Sequence, residues 1–136
     1  MKPHILDANA LYRFLSGGPG ADLVARLLKE ARHSNQNLSM SVVNWGEVFY
    51  TIMRAIGRDR AEQAMAAVDG LPLTIFAADQ QLTRRAADLR ASYGLPYADC
   101  FAAALADQNS IVVTSTVKHF KLVPWIKVRA LTDGKN

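Results

Sequence analysis

Short runs of apolar residues alternate along the chain with longer segments whose apolar residues recur every three or four positions. The short runs lie at residues 4–6, 38–40, 73–76, 111–114 and 126–131. Apolar, partly β-branched runs of this length are typical of buried β-strands. We therefore predict five strands, with the run at 126–131 as an edge strand.

The longer segments have the spacing of amphipathic helices, and several begin at a residue that can cap a helix. Asp22, Asp59 and Asp79 are predicted N-caps, because a carboxylate there accepts a hydrogen bond from the first free N–H groups. The predicted helices lie at residues 10–15, 22–31, 43–56, 59–68, 79–93 and 98–108. Strands that alternate with helices favour an α/β fold, with a short parallel sheet flanked by helices on both faces.

The length and composition of the chain suit one domain. Half of its 136 residues are hydrophobic, which is enough for one buried core but leaves two independent cores marginal. We expect a single domain over residues 1–136. Cys100 has no partner for an internal disulfide, and no Cys/His cluster has zinc-ligand spacing. The N-terminus leaves no room for a signal-peptide core and no apolar run matches a bilayer, so we expect a soluble, cytoplasmic protein.

The excess positive charge of the chain is confined to its C-terminal segment. Residues 1–110 hold 11 basic and 11 acidic side chains, whereas residues 111–136 hold five basic side chains and one acidic one. A basic segment beside an acidic metal site suits a polyanionic substrate, and Lys118 and Lys121 are candidates for holding a phosphate backbone by charge. An ordinary solvated surface explains the same charges, so both interpretations stay open.

Three acidic residues stand in sequence contexts that packing alone does not explain. Asp7 directly follows the first apolar strand, Glu47 lies in a helix rich in large apolar residues, and Asp99 opens an alanine-rich helix. Carboxylates are preferred ligands of Mg²⁺ and Mn²⁺, and a cation relieves the repulsion that otherwise raises their pKa values. An N-cap role for Asp7, a solvated helix face for Glu47 and a favourable helix-dipole position for Asp99 stay open as alternatives.

Four segments around these acids resemble the motifs of PIN-domain nucleases. The segments are HILDANAL at 4–11, VVNWGEV at 42–48, GLPYADCFAAALA at 94–106 and VVTSTVKHF at 112–120, followed by a family-like VPWIKV tail. The third is the most specific, and all four stand in the family's order at plausible spacing. The resemblance covers about residues 3–131 and is closest to VapC-type toxins, which are stand-alone domains of this length.

Carried onto this sequence, the resemblance implies a PIN-like fold and a metal-dependent ribonuclease. The catalytic acids, which would also hold Mg²⁺ or Mn²⁺, are Asp7, Glu47 and Asp99. Asn9 matches a polar position that supports the first aspartate, and Thr114 matches a hydroxyl residue near the metal. Thr116 departs from the family, which commonly has Asp at this position and often Asn in Lys-His-Phe variants. A fourth acid is therefore missing here.

The resemblance also implies partners: an RNA substrate, a VapB-type antitoxin that blocks the cleft, and a second copy of the chain in a homodimer. The apolar stripe of Trp45, Phe49 and Met53 is interpreted as core or as a subunit contact. His119 could serve as a general acid or contact phosphate, but it has no evident partner in the sequence and the family variant favours a structural position. Cys100 is interpreted as a buried, unreactive thiol.

Two other classes of function are weighed against this one. An aspartyl-phosphate phosphatase also places Asp after its first strand, but it requires a second Asp where this chain has Asn9. It also requires a late acidic pair, whereas residues 111–136 contain only Asp133. A non-catalytic PIN module that binds RNA or a protein is compatible with Thr116, although three of the four acids are retained.

Overall fold

A five-stranded parallel sheet forms the centre of the protein in the computed structural model, which describes residues 2–131. The strands are His4–Leu6 (β1), Leu38–Ser41 (β2), Leu73–Phe76 (β3), Ile111–Thr114 (β4) and Lys127–Ala130 (β5). Their order across the sheet is β3-β2-β1-β4-β5, so the predicted edge position of the last strand is confirmed. Ile5 pairs with Ser39 on one side and with Val112 on the other, which puts β1 in the middle.

Seven helices lie within the described residues and connect these strands. They are Ala8–Ser16 (α1), Ala21–Ser34 (α2), Val42–Ile56 (α3), Arg58–Val68 (α4), Gln80–Tyr93 (α5), Tyr97–Leu105 (α6) and Val117–Phe120 (α7). None of the helices within residues 2–131 is both long enough and apolar enough to cross a membrane.

Neighbouring strand residues pack into two different cores, because successive side chains of a strand point to opposite faces of the sheet. Leu6 and Val113 pack with residues of α1 to α4, whereas Ile5 and Val112 pack with residues of α5 and α6 and with Phe120 of α7. Helices therefore cover both faces of the sheet, and the predicted α/β architecture is confirmed.

Two of the three predicted N-caps are wrong. Asp79 caps α5 as expected, since its carboxylate accepts a hydrogen bond of 2.8 Å from the backbone N–H of Leu82. Helices α2 and α4 instead start after glycines, which leaves Asp22 and Asp59 in the first turn rather than at the cap. Gly20 caps α2 with φ 91°, and a Cβ atom there would lie 2.8 Å from Leu131, so close packing favours glycine.

Further differences from the predicted elements lie toward the C-terminus. Helix α6 ends at Leu105 rather than at residue 108, because Ala106 adopts an extended conformation with φ −84° and ψ 145°. The short helix α7 follows β4 and was not among the predicted helices. Of the basic C-terminal segment, Lys118, Lys121, Lys127 and Arg129 are exposed, whereas Asp133 and Lys135 lie outside the described residues.

Candidate active site

The site is built at the carboxyl edge of the sheet, where β1 and β4 end side by side. Asp7 follows β1 and is 2% exposed. Its Oδ1 atom accepts a hydrogen bond of 2.9 Å from the backbone N–H of Ala10, which makes it the N-cap of α1. The capping interpretation of Asp7 is therefore confirmed, and the same residue lies where ligands bind to parallel sheets.

Burial is the main cause of an unusual ionisation of Asp7. Desolvation raises the pKa of its carboxyl to about 6, against the hydrogen bonds from Thr114 and Ala10, which lower it. Repulsion from the charges of Asp99 and Glu47 raises the pKa further. Glu47 and Asp99, which lie on two further elements, are therefore close enough for their charges to act on the ionisation of Asp7.

Glu47 lies in the second turn of α3 and is half-buried rather than fully solvated. Burial raises the pKa of its carboxyl, a hydrogen bond from Asn44 lowers it, and the charge of Asp99 raises it. The Asn44 amide donates to Glu47 Oε1 at 3.0 Å and to the carbonyl oxygen of Ala98 at 3.1 Å. Because Ala98 precedes Asp99, this one amide links the elements that carry two of the acids.

Asp99 lies in the first turn of α6, where the helix dipole favours a carboxylate. It is not the N-cap, since that position is held by Pro96. Its Oδ2 atom instead lies 2.6 Å from Nδ1 of His119, in α7. From the sequence, His119 had no evident partner, and a structural position was favoured over a role as general acid or phosphate contact. The structure supplies the partner, and His119 joins the candidate site.

Thr114, the last residue of β4, and Thr116 after the strand extend the site away from Asp7. The Thr114 hydroxyl is buried, and its Oγ1 accepts a hydrogen bond of 2.9 Å from the backbone N–H of Thr116. The two hydroxyl oxygens lie 3.0 Å apart. Since Thr114 also hydrogen-bonds to Asp7, a chain of polar groups connects Thr116 to the buried acid without placing Thr116 directly on it.

The other predicted site residues lie at the surface around this cluster. Asn9 is exposed in α1, one residue before the N–H group that Asp7 caps. Lys118 is exposed in α7 beside His119, and Lys121 is exposed directly after that helix. Both lysines are therefore on the segment whose histidine contacts Asp99.

The donor chemistry of the three acids fits a hard divalent cation, although their side chains as placed do not surround a single point. Within residues 2–131, no three His, Cys, Asp or Glu side chains are gathered closely enough to ligate one ion directly. Mg²⁺ does not require such a cage, since it is usually bound through one or two carboxylates while water and substrate phosphate complete its octahedron. Asp7, Glu47 and Asp99 therefore fit such an ion by the chemistry of their carboxylate oxygens.

Comparison with known proteins assigns the chain to a family. A model of the PIN domain matches residues 4–125, so the chain belongs to the PIN domain family. The four motifs fall within that match, and membership of the family supports a nuclease. No curated protein sequence matches the chain at a significant level.

Solved structures of low sequence identity share the fold. A chain in the crystal structure of VapBC2 from Rickettsia felis, bound to a promoter DNA fragment, is 18% identical with a TM-score of 0.75, covering 93% of this chain and 97% of that one. A chain in DNA-bound VapBC from Salmonella typhimurium is 16% identical with a TM-score of 0.72, covering 96% of this chain and 99% of that one. A chain in a toxin–antitoxin complex from Klebsiella pneumoniae is 22% identical with a TM-score of 0.65, covering 96% of this chain and 98% of that one.

Proposed function

We propose that the protein is a Mg²⁺- or Mn²⁺-dependent endoribonuclease that acts as the VapC-type toxin of a toxin–antitoxin pair. The observation that carries this proposal is that three acids on different elements lie near the carboxyl edge of the sheet, close enough for two of them to act on the third. The charges of Asp99 and Glu47 raise the pKa of the buried Asp7. A cluster of like charges in a nuclease-type fold is explained by a cation that compensates them.

Asp7, Glu47 and Asp99 would hold the cation, each in an orientation that its neighbours restrict. A bound Mg²⁺ or Mn²⁺ would lower the pKa of an attacking water and neutralise charge that develops on the phosphate. Thr114 and the Ala10 N–H fix the Asp7 carboxylate, and Asn44 fixes that of Glu47. His119 restrains Asp99 through Oδ2. Carboxylates fixed in this way lose little conformational freedom when they bind an ion.

The exposed lysines beside the acids support a polyanionic substrate. Lys118 and Lys121 lie on the segment that reaches Asp99 through His119, so a phosphate backbone attracted to them passes near the carboxylates. Their charges act on any phosphate and carry no base preference. RNA as the substrate follows from the family resemblance, and sequence-specific proteins mostly bind RNA in its single-stranded or looped regions.

An apolar groove supports a VapB-type antitoxin as the partner. The groove has a volume of about 290 Å³ and is lined by residues of α1, α3 and α4, namely Tyr12, Leu15, Ser16, Ile52, Ala55, Ile56 and Ala64. Ile56 is 53% exposed, as suits a surface that a partner covers. Amphipathic helices bind in such grooves through their apolar faces, and the structures compared above are toxin–antitoxin complexes.

The stripe of Trp45, Phe49 and Met53 is a weaker candidate for that partner. All three side chains are partly buried and pack against the α1–α4 core, and Trp45 and Phe49 make an edge-to-face contact at 5.6 Å. We assign the stripe to the core. A homodimer remains part of the proposal on the family resemblance.

The proposal is tested by RNA cleavage with Mg²⁺, with Mn²⁺ and with excess chelator. We expect cleavage only with metal, and its loss in Asp99→Asn, which keeps the size of the side chain but removes its charge. Asp59→Asn is the matched control, because Asp59 also lies in the first turn of its helix but is exposed. Full activity of Asp99→Asn, or undiminished cleavage in chelator, contradicts the proposal. RNA binding without cleavage in the wild type identifies a non-catalytic module instead.

A further inference from the structure

Asn44 is a buried polar residue whose side chain contacts both helices that carry Glu47 and Asp99. It lies in the first turn of α3 and is fully buried, with 0% of its side chain exposed. A buried amide is costly unless its two N–H groups and its carbonyl oxygen all have partners. The hydrogen-bond partners of Asn44 therefore indicate the role of its side chain.

Every polar atom of the Asn44 amide has a partner. The Ser41 hydroxyl donates to Oδ1 at 2.7 Å, and Nδ2 donates to Glu47 Oε1 at 3.0 Å and to the Ala98 carbonyl oxygen at 3.1 Å. This pattern fixes the orientation of the amide, because the flipped amide would place Oδ1 against two other acceptors.

The three partners belong to three different elements. Ser41 is the last residue of β2 and the N-cap of α3, Glu47 lies one turn further along α3, and Ala98 lies in the first turn of α6. Residues three apart on a helix share a face, which brings Asn44 under Glu47. The bond to Ala98 then fixes this pair against the backbone that carries Asp99.

We propose that Asn44 is a positioning residue that sets where the Glu47 carboxylate lies relative to Asp99. It does so by holding Glu47 Oε1 with one N–H and the α6 backbone with the other. This inference rests on the proposed function in one respect: at a metal centre, the fixed separation would set the affinity for the cation. Loss of a residue that orients a metal ligand typically weakens metal binding by about 10- to 100-fold.

The first test measures Mn²⁺ affinity by calorimetry on the full chain. We expect Asn44→Ala to bind Mn²⁺ about 10-fold or more weakly than the wild type, and to need correspondingly more Mn²⁺ for half-maximal RNA cleavage. Asn37→Ala is the matched control, because Asn37 also donates its amide across elements, to Thr74 Oγ1 at 3.2 Å, but at the amino end of β2. It should bind Mn²⁺ as the wild type does.

A second variant separates positioning from loss of stability. Ile52→Ala removes a buried apolar side chain of the same helix and lowers the melting temperature without touching the Asn44 hydrogen bonds. If Ile52→Ala at a similar melting temperature loses as much Mn²⁺ affinity as Asn44→Ala, the positioning role is overturned. Wild-type affinity in Asn44→Ala overturns it as well.

The last measurement does not depend on metal. Crystal structures of the metal-free wild type and of Asn44→Ala should differ in the separation of the Glu47 and Asp99 carboxylates. Unchanged carboxylates contradict the inference. A wild type that binds no Mn²⁺, together with displaced carboxylates in the variant, rejects the proposed metal function but retains the positioning role.

Discussion

Asp7 and Asp79 make the same local interaction in two different regions of the molecule. Each accepts a hydrogen bond from the N–H three residues later, at 2.9 Å for Asp7 and 2.8 Å for Asp79, and each caps its helix. Asp79 is exposed at the start of α5, whereas Asp7 is buried between β1 and β4 and lies near two further acids. The two aspartates therefore share the same cap geometry, and what separates Asp7 from Asp79 is its burial beside other carboxylates.

Removing the charge of each aspartate in turn is the strongest test of the difference between Asp7 and Asp79. Asp7→Asn keeps an acceptor for the cap but removes the charge, so RNA cleavage should fall by a factor of 100 or more, which is about 3 kcal/mol of transition-state stabilisation. Asp79→Asn should leave the cleavage rate within about twofold of the wild type. The measurement is kcat/KM on one RNA at saturating Mg²⁺. Equal losses in the two variants would show that Asp7 acts only as a cap.

In metal-free protein, the pH dependence of the free energy of unfolding should also distinguish Asp7 from Asp79. The pKa of Asp7 is raised from 3.8 to about 6, so the folded state binds a proton between these pH values that the unfolded state has lost. The free energy of unfolding should therefore fall as pH rises from about 4 to 6, by an amount on the order of 3 kcal/mol from this group. Burial also raises the pKa of Glu47, which adds to the fall.

Urea unfolding in chelator at several pH values measures this dependence. Asp7→Asn should lose most of the fall in the free energy of unfolding, whereas Asp79→Asn should keep the wild-type curve. A wild-type stability that stays flat or rises between pH 4 and 6 contradicts the raised pKa of Asp7.

The smallest expected effect comes from Thr116. Its hydroxyl reaches Asp7 only through Thr114, so we expect one well-held ion, with any second ion recruited by substrate phosphate. Thr116→Asp should tighten Mn²⁺ binding by up to about 10-fold, roughly 1.4 kcal/mol, because it adds a carboxylate beside the cluster. Thr83→Asp is the control, since Thr83 lies in the first turn of the helix that Asp79 caps.

Calorimetric titration with Mn²⁺ checks this prediction. Two tight sites in the wild type, or equal affinities in the wild type and Thr116→Asp, would place Thr116 away from the metal. An equal gain in Thr83→Asp would show a general effect of negative charge rather than one of position.

The sequence predicted those parts of the protein that depend on local pattern. The strands follow from short apolar runs, and the acids stand out because each has apolar neighbours. The N-caps at Asp22 and Asp59 were wrong because glycine, which carries no capping side chain, takes that position in α2 and α4.

The contacts between elements could not be predicted from the sequence. His119 meets Asp99 across 20 residues, and Asn44 meets Ala98 across 54. Neither spacing corresponds to a helical or strand period, so no local pattern predicts either contact. One feature of the sequence did indicate that His119 lies near the site: it stands in the fourth motif, shortly after Thr114. The structural position favoured by the family variant gave this feature no weight.

The strand register that pairs Leu6 with Val113 also brings the next residues, Asp7 and Thr114, to the same edge. A slip of β4 by one residue would turn its apolar side chains to the opposite faces and would separate these two polar groups in the same movement. Selection for a foldable protein therefore also preserves this part of the proposed site.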